Sequence, residues 1–197
     1  MSVSLSKGGK VSLAKAAVDS GINERLSKIV VGLGWDVNKY DGGHDFDLDA
    51  SVFLCGDDGK VHKDVNFVFY NNKKAPGVEH MGDNRTGAGE GDDEIINIDL
   101  DSLDPDVSRI AFAVTIFEAE KWGQTFGQVD SAYIHILDAA SGVEILRYDL
   151  SEDYSVETAL VVAEMYKHNG EWKFNAVGAG FQNGLQGLCN NYGISIG

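Results

Sequence analysis

The feature that most constrains the fold is a stretch of two-residue periodicity around position 50. Five apolar residues, Phe46, Leu48, Ala50, Val52 and Leu54, alternate with Asp45, Asp47, Asp49, Ser51 and Phe53. This period indicates a β-strand with one wholly apolar face, because successive side chains of a strand point to opposite sides. The aspartates then share the other face, about 7 Å apart, where neighbouring carboxylates repel by roughly 2 kcal/mol at an effective dielectric constant near 20.

The aspartates of this strand need a physical reason, because aspartate is unfavourable in strands. One interpretation is a bound hard cation such as Ca²⁺, which prefers oxygen ligands and reverses the sign of the repulsion. The other is a solvated polar face that carries aspartates without binding an ion.

A second acidic segment covers positions 83–94. Its acidic residues, set against the single base Arg85, are Asp83, Glu90, Asp92, Asp93 and Glu94. The segment has the length of an EF-hand loop, but that motif needs glycine at the sixth position, where this chain has Ala88. Glycines at 87, 89 and 91 favour a loop that turns its carbonyl groups inward. The alternative is a mobile acidic surface loop.

Together the two segments predict one bipartite metal centre for Ca²⁺, with room for two ions. Neither segment alone supplies the about six to eight oxygens that Ca²⁺ takes. The candidate ligands are Asp45, Asp47, Asp49, Asp83, Asn84, Asp92, Asp93 and Glu94, with Asp36 and the carbonyl groups of Gly89 and Gly91 as weaker candidates.

Composition excludes several classes of function. Lys and Arg number 16 against 31 Asp and Glu, which gives a net charge of −15 and disfavours direct binding to nucleic acid or to an anionic membrane unless a metal bridges them. The spacing of Cys55 and Cys189 does not fit a zinc or iron–sulfur site, and reduced buried thiols are favoured over a disulfide. Residues 1–29 lack the apolar core of a signal peptide, and no run reaches the length of a transmembrane helix, so we expect a cytoplasmic protein.

The rest of the chain reads as many short strands with Gly and Asn turns. Residues 3–13 suggest an opening hairpin, and residues 14–27 fit either a helix or a loop. Two antiparallel strands are favoured over a helix in 158–177, because His168–Gly170 is a strong hairpin turn. Residues 181–192 predict a short helix. We therefore expect one domain over residues 1–197, an all-β sandwich of two antiparallel sheets with a few short helices.

Several motifs along the chain match one known family. They are Val3–Gly9, Gly32–Asp36, Asp45–Ala50, Tyr70–Asn72, His80, Gly82–Gly87 with Gly91–Glu94, Phe126–Val129, Arg147–Leu150 and Gly170–Phe174. On these motifs the chain resembles the bacterial tellurium-resistance (TerD-like) stress proteins almost from end to end. Residues 18–26 look like an insertion relative to the family pattern.

The resemblance implies a Ca²⁺-binding β-sandwich with two adjacent metal sites and no established enzymatic activity. It also implies a role in resistance to tellurite, phage and other stresses, alongside membrane-associated partners in a stress-response complex.

Three functions therefore stay open. The leading one is a Ca²⁺-dependent interaction module. The alternative is a metal-dependent phosphoesterase, since clustered carboxylates can hold two metal ions about 4 Å apart, although the acidic motifs include no His or Lys placed as base or acid. The third is a structural protein whose acidic surface only gives solubility.

The histidines and tryptophans give no catalytic signal. His44 and His80 adjoin the acidic segments and are expected to tune them, because Ca²⁺ rarely uses imidazole. We expect His62, His135 and His168 to be surface or turn residues. The tryptophans, Trp35, Trp122 and Trp172, are expected in the core or at its edge.

Overall fold

The computed structural model describes residues 1–37, 46–82, 91–150 and 154–195. The metal-ligand candidates Asp45, Asp83, Asn84 and Gly89 lie outside these ranges, as does His44. In the described residues the strands are β1 (Val3–Leu5), β2 (Lys10–Ser12), β3 (Lys28–Val37), β4 (Leu48–Cys55), β5 (Phe67–Val68), β6 (Lys74–Ala75), β7 (Val78–His80), β8 (Glu94–Asp99), β9 (Arg109–Ile116), β10 (Val129–Asp138), β11 (Glu144–Asp149), β12 (Ala159–His168) and β13 (Glu171–Phe181). The helices are α1 (Leu13–Asp19), α2 (Ala119–Trp122) and α3 (Gly184–Tyr192).

These strands form a sandwich of two sheets, as the sequence predicts. The first sheet has the order β1-β11-β10-β3-β8-β7-β6, and the second has the order β2-β13-β12-β9-β4-β5. Their pairing is antiparallel, except that β1 runs parallel to β11. The expected fold class is therefore confirmed, with one parallel edge strand added. No helix in the described part of the chain is long and apolar enough to cross a membrane.

Strand β4 shows how the alternation of the sequence builds the core. Leu48, Ala50, Val52 and Leu54 all belong to the large buried cluster between the two sheets. The opposite face is not solvated along its length, because Phe53 and Cys55 belong to a second buried cluster on the outer side of the second sheet. Helix α3 contributes Leu188, Cys189 and Tyr192 to that second cluster. Burial on both sides holds β4 in place.

The expected opening hairpin is wrong. β1 pairs with β11 in the first sheet, whereas β2 pairs with β13 in the second. The two strands therefore stand in different layers, and the chain crosses between the layers at residues 6–9. Each strand packs half-buried apolar side chains onto the shared core, which stabilises the crossing more than a two-stranded hairpin would stabilise itself.

The ambiguous regions resolve into short regular elements. α1 begins after Ser12, whose side chain accepts a hydrogen bond from the Lys15 N–H at 3.3 Å as a helix N-cap. β12 and β13 form the expected antiparallel pair, and Asn169 and Gly170 both have positive φ at the turn between them. The C-terminal helix is confirmed but begins at Gly184, because Phe181 still belongs to β13.

Candidate metal centre

Both acidic segments leave the sandwich at the same end. The first connects the end of β3 to the start of β4, and the second connects the end of β7 to the start of β8. β3 and β8 pair antiparallel with Leu33 opposite Glu94, and Leu33, Trp35 and Leu48 line one small cavity there. We call the described candidates at this end, Asp36, Asp47, Asp49 and Gly91–Glu94, the acidic end.

The first segment reaches the acidic end through Asp47 and Asp49. The main-chain carbonyl group of Asp47 accepts a hydrogen bond from the Phe117 N–H at 2.8 Å. Asp49 lies opposite Thr115 of β9 and is only 8% exposed. It faces away from the core between the sheets and lines a cleft that also includes Thr115 and residues of α3. The expected separation of the aspartates from the apolar face is confirmed at Asp49.

Asp93 joins the second segment to β3. Its N–H donates to the Leu33 carbonyl group at 2.8 Å, and its Oδ2 accepts the Trp35 N–H at 2.8 Å. Gly91, two residues earlier, has a φ of +120°, a conformation that favours glycine. Hydrogen bonds to the main chain of β3 therefore fix the position of the residue that precedes β8.

Glu94 lies inside the sandwich and not at its surface. Its Oε2 is 3.4 Å from Nε2 of His80, and both side chains are buried. Nδ1 of His80 accepts a hydrogen bond from the Gly82 N–H at 3.2 Å. The proton of a neutral His80 ring must therefore be on Nε2, where it faces Glu94. The expectation that His80 is a neighbour of the acidic residues holds, and its partner is Glu94.

Asp92 takes part in a different group on the outer face of the first sheet. Its Oδ1 accepts a hydrogen bond from the Tyr133 hydroxyl at 2.9 Å, and its Oδ2 is 2.9 Å from Nε2 of His135. Nδ1 of His135 is 2.8 Å from Oε2 of Glu144. We call these residues, Asp92, Tyr133, His135 and Glu144, the Asp92 network. The prediction that His135 is a surface residue is wrong, because its side chain is only 12% exposed between two carboxylates.

Two glycines make room for the Asp92 network. Gly32 and Gly34 of β3 lie directly opposite His135 and Tyr133 of β10. A Cβ atom at Gly32 would overlap the Asp92 carboxylate and the His135 ring, and one at Gly34 would overlap the Tyr133 ring. The glycines at alternate positions of β3 were the one sequence signal for this group.

In the Asp92 network, the carboxylates and the imidazole favour each other's charged forms. Burial works to raise the pKa of Asp92, but hydrogen bonds from His135 and Tyr133 outweigh it and hold that pKa below its ordinary value. Burial likewise works to lower the pKa of His135, but its two carboxylate partners outweigh it and raise that pKa. The imidazole of His135, which lies between two carboxylates, therefore stays protonated to a higher pH than that of a free histidine.

The acidic end thus divides its carboxylates among several environments. Asp92 lies on the outer face of the first sheet, Glu94 in the interior and Asp49 on the outer face of the second sheet. Asp36 is exposed, opposite Asp130 of β10. Within the described ranges, no group of three or more His, Cys, Asp or Glu side chains is placed to hold a metal ion. The predicted ligands Asp45, Asp83, Asn84 and Gly89 lie outside those ranges.

Comparison with known proteins gives one consistent family. A family model described as the TerD domain matches residues 1–192. The chain is 51% identical over 197 residues to tellurium resistance protein TerD of Serratia marcescens, with 99% of each chain covered. It is 50% identical over 199 residues to general stress protein 16U of Bacillus subtilis, with 100% of each covered. The crystal structure of a homologue of telluride resistance protein from Streptomyces coelicolor A3(2) matches with a TM-score of 0.63 and 24% identity, over 82% of this chain and 94% of that one. This last likeness concerns the fold alone.

Proposed function

This chain belongs to the TerD-domain family of tellurium-resistance and stress-response proteins, and on that premise we propose that its acidic end binds Ca²⁺ and docks another protein when the ion is present. The observation that carries the proposal is that both acidic segments leave the first sheet at one end of the sandwich. The first segment crosses from there to β4 of the second sheet, and the other returns to β8 of the first. Ligands from both segments together would supply the number of oxygens that neither segment has alone.

The chemistry of the donors fits Ca²⁺. Carboxylate and carbonyl oxygens suit a hard cation, and the set includes no thiolate that would favour a softer metal. Of the described residues, we propose Asp47, Asp49 and Asp93 as ligands, and not Glu94, because Glu94 faces His80 inside the sandwich. The remaining ligands in the proposal are Asp45, Asp83 and Asn84.

Docking of a partner protein is supported by apolar surface beside the acidic end. Phe117, whose N–H is bonded to Asp47, is 49% exposed, and Trp122 of α2 is 40% exposed. The expectation that Trp122 is a core or core-edge residue is therefore wrong. Exposed aromatic side chains are typical anchors of protein interfaces. Ca²⁺ that fixes the two segments would lower the entropy cost of partner binding, so ion and partner would tighten each other's binding by the same factor. A membrane-associated stress-complex protein is the partner class we propose.

The alternative, a metal-dependent phosphoesterase, is not favoured. Both described histidines near the acidic end already face carboxylates, His80 facing Glu94 and His135 facing Asp92 and Glu144. Neither is placed as an acid or base for a substrate at a metal held by Asp47 and Asp49.

Isothermal titration of the whole chain with Ca²⁺ and with Mg²⁺ tests the ion. We expect saturable Ca²⁺ binding that Mg²⁺ does not match, and at least about a tenfold loss of affinity when Asp47→Asn and Asp49→Asn are combined. Asp57→Asn, an exposed carboxylate in the turn after β4, is the matched control and should bind as the wild type does. Absence of saturable Ca²⁺ binding would refute the proposal, and turnover of a generic phosphodiester with Mg²⁺ or Mn²⁺ would favour the enzyme.

Docking needs its own test. Proteins retained from a lysate by the wild type should be lost when EDTA is added and when Asp47 and Asp49 are both replaced by Asn. Equal recovery with and without EDTA would contradict Ca²⁺-dependent docking while leaving Ca²⁺ binding intact.

A further inference from the structure

The Asp92 network has no role in the function proposed above, although it is among the most completely bonded polar groups of the described chain. Both oxygens of Asp92 have a partner, and both ring nitrogens of His135 have one. The side chains of Asp92 and His135 are 14% and 12% exposed. A polar group this enclosed restricts the positions of its members, because each broken bond would leave a desolvated group behind.

The surrounding residues leave space for the Asp92 network and contact it. Gly32 and Gly34 leave the space that the Asp92 carboxylate and the two rings of β10 occupy. The Arg147 guanidinium lies 3.8 Å from the Tyr133 ring centre and donates from Nε to Asp149 at 2.8 Å. Residues from β3, β10 and β11 thus converge on a single carboxylate that precedes β8.

The position of Asp92 in the chain indicates what the Asp92 network does. Asp92 directly follows Gly91 and directly precedes Asp93, which is bonded through its main chain and its Oδ2 to β3. The side chain of Asp92 is bonded to β10 instead. Two consecutive residues therefore attach the end of the second acidic segment to two different strands.

We infer that Asp92 is a positioning residue that fixes the end of the second acidic segment, and not a ligand of Ca²⁺, with Tyr133 and His135 acting through it. This inference rests on the proposed Ca²⁺ binding and removes one residue from the predicted ligand set. Asp92 directs both of its oxygens to Tyr133 and His135 on the outer face of the first sheet, away from β4 of the second sheet, where Asp49 lies. Held in place, it instead sets where Asp93 can present its oxygens.

The two roles of Asp92 predict different results when Asp92 itself is changed. A ligand role predicts that Asp92→Asn removes direct coordination and lowers the number of bound ions. A positioning role predicts that Asp92→Asn and loss of the His135 imidazole both loosen residues 91–94 and weaken Ca²⁺ binding, with the number of bound ions unchanged. Residues that orient metal ligands from behind typically contribute about 10–100-fold to metal affinity.

The experiment is calorimetric titration of the full chain with Ca²⁺ for His135→Phe, Tyr133→Phe and Asp92→Asn. His135→Phe keeps an aromatic ring against Tyr133 but removes both hydrogen bonds, and we expect about a tenfold weaker Kd with the wild-type number of bound ions. Asp92→Asn should weaken binding by a similar factor, again without loss of an ion, and combining it with His135→Phe should add little. Tyr133→Phe removes one hydroxyl group and should weaken binding about threefold, so it keeps the test decisive if His135→Phe does not fold.

His62→Phe is the matched control. It removes another His–Asp contact, His62 Nε2 to Asp58 Oδ1 at 2.9 Å, in the region that follows the far end of β4, and should leave the Kd unchanged. Equal or tighter Ca²⁺ binding by His135→Phe, or loss of one bound ion in Asp92→Asn, would overturn the inference while the proposed function stands. Absence of Ca²⁺ binding by the wild type would overturn both.

Discussion

At the scale of single residues, two glycines decide what the outer face of the first sheet can hold. Gly32 and Gly34 carry no side chain at positions where a strand residue would ordinarily have a β-branched or aromatic one. A glycine inside a strand costs conformational entropy, and here that cost is offset by a buried polar group that no larger residue would admit. The sequence pattern alone predicts a surface position for His135, because it does not show the cross-strand partners that enclose the ring.

Gly32→Ala tests this directly. The added Cβ overlaps the Asp92 carboxylate and the His135 ring, so we expect the free energy of unfolding to fall by about 1–3 kcal/mol, measured by urea denaturation with EDTA present. In an Asp92→Ala, His135→Ala background the same change should cost much less, because the overlapping atoms are gone. An equal loss in both backgrounds would show that the cost lies elsewhere.

The two thiols give a second residue-scale prediction. Burial raises the pKa of Cys55 to about 12 and that of Cys189 to about 11, and both cysteines are buried and free. At pH 8 the thiolate fraction of Cys55 is then about one in ten thousand. We expect Ellman's reagent to label neither thiol in the native protein and both after denaturation. Rapid labelling of the native protein would contradict the packing of α3.

At the scale of elements, the local sequence pattern predicts the structure correctly where a single strand or turn is determined by its own residues. The predicted alternation of β4 and the predicted turn at Asn169 and Gly170 are both confirmed, because each is fixed by its own side chains. The predicted opening hairpin is wrong because the pairing of β1 and β2 is decided by β11 and β13, far along the chain. For the same reason the sequence did not predict that α3 covers the outer face of the second sheet. The candidate ligands within the described residues lie at one end of the sandwich, and their role as ligands stays a prediction. Their separate environments depend on which side of each sheet they face, which local pattern does not give.

Helix α3 carries an element-scale prediction. Leu188 is fully buried in the outer cluster that also includes Phe53 and Val161, so Leu188→Ala should lower the free energy of unfolding by about 2–5 kcal/mol. Leu185 is only half-buried at the start of the same helix, and Leu185→Ala should cost clearly less. Urea denaturation of both variants checks the order, and an equal cost would mean that α3 is held by its ends and not by this contact.

At the scale of the whole molecule, the net charge of −15 and the proposed Ca²⁺ binding predict that stability depends on the ion. Under this proposal, the carboxylates of the two segments would repel one another without Ca²⁺ and would be joined by it. The cytoplasmic location and the single-domain organisation stay predictions of the sequence.

Ca²⁺ should therefore raise the melting temperature. Linkage gives about 2.7 kcal/mol when Ca²⁺ is at about 100 times its Kd, and for a chain of this size that corresponds to about 5–10 °C. Scanning calorimetry with EDTA, with Mg²⁺ and with Ca²⁺ checks this. Asp47→Asn should reduce the effect of Ca²⁺ and should stabilise the metal-free form by relieving repulsion. A melting temperature that does not respond to Ca²⁺ would count against any tight site.

The placement of the opening strands has a consequence for how the protein is made. Val3–Leu5 pairs with Leu146–Tyr148, and Lys10–Ser12 pairs with Lys173–Asn175. Because the ribosome synthesises the chain from its N-terminus, these early strands stay unpaired until β11 and β13 have been synthesised. Neither sheet can be completed before that, and contacts so distant in sequence slow folding. During synthesis the nascent chain therefore carries open sheet edges, the kind of surface that chaperones shield from aggregation.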